Sequence, residues 1–208
     1  MPSAAAVPAE DAPADLWLAS ASPRRAELLA GLGLRLRAVP SGVAEHRLAG
    51  QSPRDYVLAT ALAKAHAVAA RAPAGVPVLG ADTDVVVDDD ILGKPRDRAD
   101  ALTMLARLSD GGHDVLSAVA VVTGDGCVAT VVTSTRVCFG PISPAAAAAY
   151  WATGEPRDKA GAYAVQGGAA RWVRRIEGSY TGVVGLPLFE TLELLARFGV
   201  RPPPGGAT

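Results

Sequence analysis

Two β-branched runs, 115–123 and 128–137, flank Gly124-Asp125-Gly126. That pattern calls for a long antiparallel hairpin, because branched side chains suit a pleated surface and the Gly-Asp-Gly triplet supplies a tight reversal. A chain with such a hairpin must build a sheet and cover it. The rest of the sequence supplies further strands and capped helices. Residues 16–19 form a short apolar run ending in Ser20-Ala21-Ser22-Pro23, and 24–30 then takes helical spacing, with Leu28 and Leu29 inward and Gly31 or Gly33 as a stop. Ser22 suits the N-cap and Pro23 the first helical position. Residues 34–39 alternate as a half-exposed strand does. Ser52-Pro53-Arg54-Asp55 opens an Ala-rich helix reaching about Arg71, with Lys64 near its middle. Residues 76–80 and 84–87 read as two buried strands, with Asp88-Asp89-Asp90 as a tight turn and Ile91-Leu92 returning. Helices are expected at 97–109, from Ser143-Pro144 through Trp151, and at 187–198, with a strand at 172–176. Between them, 154–168 is a Gly-rich polar loop of little periodicity, and loops of that length are usually functional.

With 208 residues, the chain is long enough to bury a proper core. Twenty basic against twenty-one acidic side chains leave a net charge of -1, so no global field exists to hold nucleic acid, and any anion site must be local. The apolar stretches break before the length of about 18 residues that a membrane helix needs. Cys127 and Cys138 have neither zinc-like nor redox spacing, which points to a reducing compartment with the cytoplasm as default. Residues 1–15 lack the basic start and apolar middle of a secretory signal and read as a loose tail. Residues 201–208 read as a frayed end, leaving one domain over 16–200.

Local anion chemistry is concentrated at the turn Ser20-Ala21-Ser22-Pro23-Arg24-Arg25, where two hydroxyls and two guanidiniums meet a helix N-terminus. Exposed N–H groups and the helix dipole favour anions there, and arginine adds bidentate contacts to phosphate. The plain alternative is a capped helix with two solvated arginines. No GxxxxGK[ST] or dinucleotide fingerprint is present. Asp82, in Gly80-Ala81-Asp82-Thr83-Asp84, is expected where a strand or its following turn meets the surface; a carboxylate there can bind a divalent cation, deprotonate a water or merely cap a turn. Seventeen of the twenty basic residues are arginine, and a retained lysine suits a compact, hydrated point charge. Lys94, in Leu92-Gly93-Lys94-Pro95, is the best placed of the three, while Lys159 has Asp158 and Glu155 as ready partners. The Gln166 amide, in the long loop, can read a base edge or simply tie the loop together. His46, His66 and His113 have no catalytic or metal spacing and read as structural.

Taken together, 18–29, Gly80-Ala81-Asp82-Thr83, Leu92-Gly93-Lys94-Pro95, Asp158-Lys159-Ala160-Gly161-Ala162-Tyr163 and Gln166-Gly167 resemble the Maf family of nucleoside triphosphate pyrophosphatases in type, order and spacing. The likeness runs from about Leu16 to Leu195. It implies a mixed α/β fold with a long curved mixed sheet flanked by helices, similar to inosine triphosphate pyrophosphatases, and a deep active-site cleft. It also implies a cytoplasmic homodimer that cuts between the α- and β-phosphates of a nucleoside triphosphate with Mg2+ or Mn2+. On the matching positions, Asp82 would be the general base, Ser20, Ser22, Arg24, Arg25, Lys64 and Lys94 would hold the triphosphate, and Glu45 would join Asp82 at the metal. Arg24, Thr83 and Gln166 match the branch that prefers dTTP and UTP. Inosine or xanthosine triphosphate as substrate, or a nucleotide-binding regulator of cell division, are the other roles the resemblance allows. The match departs at Ala44-Glu45, where many relatives carry paired acids, and at Ala164 and Val165, which replace Gly and Ile.

Overall fold

The expected hairpin is the spine of the molecule in the computed structural model, which describes residues 14–204. The tail segments 1–13 and 205–208 lie outside the described residues. Asp15, at the near end of the first, is bound by Arg35, whose Nη2 approaches its carboxylate to 2.6 Å. Strands β5 (Gly112–Val122) and β6 (Val128–Phe139) pair antiparallel along their whole length. Around them a seven-stranded mixed sheet forms from β1 (Leu16–Leu18), β2 (Leu36–Ala38), β3 (Val78–Val87), β4 (Asp90–Leu92) and β7 (Val173–Glu177), in the order β2-β1-β3-β5-β6-β7 with β4 on β3. The β1 pairings with β2 and β3 are parallel and the rest antiparallel. The fold is thus the mixed α/β architecture expected, with helices on the sheet.

Strand β3 differs from the sequence reading in a way that makes the site. The polar Asp82-Thr83-Asp84 suggests a turn between two strands, yet β3 is continuous, because β5 runs beside it from Val78↔Val122 to Val86↔Asp114 and pairs with the backbone groups of that edge along its length. Asp82 therefore stands in mid-strand. The other edge of β3 is shared: β1 covers its start, with Leu18 opposite Leu79, and β4 its end, with Val85 opposite Leu92. Between them, residues 80–84 have no strand partner on that side among the described residues. The Asp88-Asp89 turn into β4 does form, with both residues at positive φ.

Helix α2 (Pro53–Ala69) covers one face of the sheet. It starts as expected, Ser52 Oγ accepting the Asp55 N–H at 3.1 Å. Ala61 and Ala65 lie against Ala118 and Ala120, and Gly80 completes this alanine-thin contact. A Cβ at position 80 would stand 2.6 Å from Ala65 N and closer still to the Ala61 carbonyl oxygen. The opposite face carries two apolar clusters. Helices α1 (Pro23–Ala30) and α6 (Leu188–Arg197) cover Leu79, Val119 and Val121 with Leu29 and Leu195; each such leucine contributes about 2 kcal/mol by burial. Helices α3 (Arg98–Leu108) and α4 (Pro144–Ala152), capped by Asp97 and Ser143, cover Val85 and Val115. The Gly-rich loop 154–168 is folded into short 3-10 turns rather than left open. Helix α5 (Tyr180–Val184), five residues without periodicity, has no counterpart in the sequence reading.

His113 lies in the second cluster, as a structural histidine should. Its Nε2 shares a 2.8 Å hydrogen bond with the Tyr163 hydroxyl, and its ring meets Phe139 edge-on at 5.0 Å. Burial, and then the Arg136 charge, push the imidazole down to about 4. The unfolded chain therefore takes up a proton that the folded chain refuses. Above about pH 6.5 the contribution is complete; it is lost as the pH falls toward 4, at about 1.4 kcal/mol per pH unit and about 3 kcal/mol in all. Because the raised Asp84 carboxyl acts in the opposite direction over the same range, the contribution is read as a difference between the unaltered protein and His113→Gln in urea melts between pH 7 and 4. The unaltered protein is expected to lose more stability on acidification than the variant, and identical pH dependences would remove His113 from this role.

Candidate active site

The interruption beside residues 80–84 lets side chains from both faces of β3 reach one opening. From one face comes Thr83. Its hydroxyl lies 3.2 Å from the Gly185 carbonyl and 3.1 Å from Ser117 Oγ, and Ser117 in turn donates to the Gly182 carbonyl at 2.7 Å. This row of hydroxyls seats α5 between the two apolar clusters. Arg25 is fixed on the same row: Nε donates to the Gly185 carbonyl at 2.8 Å, Nη1 to Ser20 Oγ at 3.3 Å and Nη2 to Thr83 Oγ1 at 3.3 Å.

The turn leading into α1 departs from its reading in one respect. Ser22 occupies the N-cap position, and Pro23 follows it, but the Ser22 hydroxyl makes no capping hydrogen bond; its N–H donates instead to Ser20 Oγ at 3.1 Å. The first turn of α1 also carries no acid. Its N–H groups thus face the opening with no acid of the same turn to satisfy them, the condition that favours a bound anion. Arg24 reaches only across the mouth, 3.5 Å from Asp158.

From the other face come Asp82 and Asp84, two residues apart on one side of the strand. The close seating of α2 on Gly80 delivers Lys64, whose ammonium lies 2.7 Å from Asp82 Oδ1 and 2.6 Å from Glu45 Oε1. Burial raises the Asp82 carboxyl above its ordinary value, and Lys64 and Arg25 offset only part of that. Glu45 behaves oppositely. Half-burial raises it, but the hydrogen bond and charge of Lys64, with Lys94 and Arg25, outweigh the effect and hold it low. Asp84 is the most perturbed: burial first, then the neighbouring Asp82 and Glu45 charges, push it up to about 7. Its Oδ2 is buried without a hydrogen-bond partner among the described residues. Sequence reasoning passed over Asp84; its i, i+2 spacing from Asp82 was the available signal, hidden by reading a turn between them.

A cleft of about 720 Å³ takes in all of this. Ser20, Ser22, Arg24, Arg25, Glu45, Lys64, Asp82, Thr83, Lys94 and Gln166 all line it, and so do Tyr56, Asp84 and Lys159. Lys94 is exposed at the end of β4, where the Gly93 carbonyl accepts the Gly161 N–H at 3.1 Å and joins β4 to the 3-10 turn Ala160–Ala162. Lys159 pairs with Asp158 and donates to the Glu155 carbonyl at 3.3 Å. Gln166 stands exposed on the wall. Among the described residues no group of three or more His, Cys, Asp and Glu side chains is arranged to hold an ion by itself. Carboxylates at 45, 82 and 84, one with a vacant oxygen, are hard ligands of the kind Mg2+ uses one or two at a time with phosphate oxygens completing its shell. The donor set fits a cation shared with a phosphate-bearing ligand.

A family model described as "Maf-like protein" matches residues 15–198. A dTTP/UTP pyrophosphatase of Saccharophagus degradans is 50% identical over 193 residues, covering 91% of each chain. One of Vibrio cholerae is 50% identical over 183 residues, 88% of this chain and 97% of its own. A solved structure from Mycobacterium abscessus, of a nucleoside-triphosphatase described as a dITP/XTP pyrophosphatase, overlaps 60% of this chain and 73% of its own at a TM-score of 0.37 and 21% identity, a partial likeness and nothing more. Among the described residues, no helix is long and apolar enough to cross a membrane.

Proposed function

The chain belongs to the Maf-like protein family, and from that premise we propose that it hydrolyses the α–β phosphate bond of nucleoside triphosphates, dTTP and UTP foremost, to a monophosphate and pyrophosphate. The observation that carries this is the convergence of Arg25 and Lys94, with Arg24 at the mouth and the first turn of α1, on one cleft whose floor holds the buried Asp82. Lys64 and Lys159 line the same cleft already paired with carboxylates. A triphosphate brings about four negative charges, and cationic side chains and N–H donors in a confined site, with a bound divalent cation, are the means of neutralising them.

In this reading Ser20, Ser22 and the first turn of α1 receive phosphate oxygens by hydrogen bonding, and Arg24, Arg25 and Lys94 hold the tail by charge. Asp82 takes a proton from a water directed at the α-phosphorus. As the new P–O bond forms, the bond to the bridging oxygen breaks, and pyrophosphate leaves with the electron pair beside the cationic side chains. The raised proton affinity of Asp82 suits it to that task. Lys64, between Asp82 and Glu45, fixes the direction of the carboxylate. Glu45 and Asp82, with Asp84 beside them, would hold Mg2+ or Mn2+, which when bound supplies further neutralisation of the phosphate oxygens. Gln166 offers its amide to the base edge, and Thr83 acts through the Arg25 guanidinium that it steadies. A homodimer and a cytoplasmic site complete the proposal; two free cysteines, Cys127 and Cys138, accord with a reducing compartment.

The test is purified protein with Mg2+ or Mn2+, challenged with common and modified triphosphates. Monophosphate and pyrophosphate are the expected products, fastest from dTTP and UTP. Release of diphosphate and orthophosphate would overturn the assignment. Sedimentation and cell fractionation check the dimer and the compartment.

A further inference from the structure

The segment that presents Gln166 is held at both ends by two side chains of the fold behind it. Tyr150 on α4 is 1% exposed, with Trp172 edge-on to its ring at 5.2 Å. Its hydroxyl accepts the Ala164 N–H at 3.0 Å and donates to Glu155 Oε1. Glu155 accepts the Gly168 N–H on both carboxylate oxygens, at 2.9 and 3.2 Å. Within the segment the Gly167 N–H closes on the Ala164 carbonyl at 3.1 Å. Gly167 leaves the carboxylate its place, since a Cβ there would collide with both Glu155 oxygens. Burial and the adjacent Glu155 raise the Tyr150 hydroxyl above its ordinary value, so it keeps its proton as a donor. Gln166 is therefore bracketed two residues to either side by one relay, buried at Tyr150 and half-buried at Glu155.

We propose that Tyr150 and Glu155 are positioning residues for base recognition: they fix the 164–168 segment so that the Gln166 amide is set before a nucleotide arrives, and this placement determines which bases the cleft accepts. The proposal deepens the pyrophosphatase reading and rests on it. Two physical points support it. A loop ordered in advance removes its ordering cost from binding. A fixed amide also discriminates better than a mobile one, because a mismatched base leaves its donor or acceptor unpaired and the amide cannot swing away to water. The relay lies behind the loop, and its side chains bind no phosphate, so the effect belongs to base choice and not to the chemical step.

Tyr150→Phe keeps the ring against Trp172 and deletes both bonds. Amide exchange at Ala164 and Gly168, read without any nucleotide, is expected to rise at least about tenfold. The preference for UTP over GTP in kcat/KM is expected to fall about tenfold, through a higher KM for UTP with kcat nearly unchanged. Glu155→Ala should match it, and Glu155→Gln, which keeps an acceptor for the Gly168 N–H, should recover part of the preference. Faster amide exchange with an unchanged UTP to GTP ratio overturns the proposal, as does an equal loss of kcat on every nucleotide. If the unaltered protein cleaves neither UTP nor dTTP, the pyrophosphatase reading itself fails, an outcome distinct from both.

Discussion

Asp82→Asn is expected to lower kcat by about 10²- to 10⁴-fold while nucleotide affinity stays within a few-fold of the unaltered protein. Asparagine keeps the size of the side chain and an oxygen for the Lys64 ammonium, now 2.7 Å from Asp82 Oδ1, but it cannot take a proton. Glu45 remains at 2.6 Å to hold Lys64 in charge balance, so the variant does not strand a buried cation. Single-turnover product formation and calorimetric titration with a non-hydrolysable triphosphate separate the two effects. A variant that retains near-normal turnover would remove Asp82 from the base role. Loss of both binding and turnover would make it a binding residue instead.

Gly80→Ala is expected to be the most damaging single-methyl change in the molecule. The added Cβ meets main chain, the Ala61 carbonyl and Ala65 N, and backbone cannot rotate aside as a side chain can. Overpacking of this kind costs about 3 kcal/mol, equivalent to a fall of about 6–12 °C in Tm for a chain of this size. If α2 lifts to make room, Lys64 leaves Asp82 and Glu45, and activity drops together with stability. Gly124→Ala is the control: a Cβ there meets nothing within 4 Å, and its effect should stay within about 0.5 kcal/mol. Scanning calorimetry on the two variants decides the matter, and equal Tm values would mean that α2 yields to the added methyl without cost.

The sequence made the chemistry easier to read than the geometry. Helix starts were legible because Ser52, Asp97 and Ser143 act within three residues of themselves, and the hairpin because its turn residues lie between its strands. The anion-binding turn and Asp82 stood out by residue type. What could not be read was set by contacts distant in sequence. The polar triplet at 82–84 looks like a turn until β5, more than thirty residues on, is seen alongside it. Arg24 and Arg25 are equivalent as letters. Only the fold sends Arg25 into the Ser20, Thr83 and Gly185 network and leaves Arg24 at the mouth beside Asp158. Asp84 stayed hidden behind the same misread turn, and the Tyr150 to Glu155 relay joins residues whose shared purpose appears only when 164–168 folds back on them.

The vacancy that β1 and β4 leave along β3 carries one last implication. Proton-accepting groups hang from one flank of that strand and the guanidinium scaffold from the other, so β3 serves as a common axle for two halves that share no side chain. Any torsion of this axle turns both at once and spoils their mutual aim, however intact each remains. Catalytic competence should therefore vanish as a single cooperative step on warming, in concert with amide protection at 80–84 and not before the peripheral helices have begun to open.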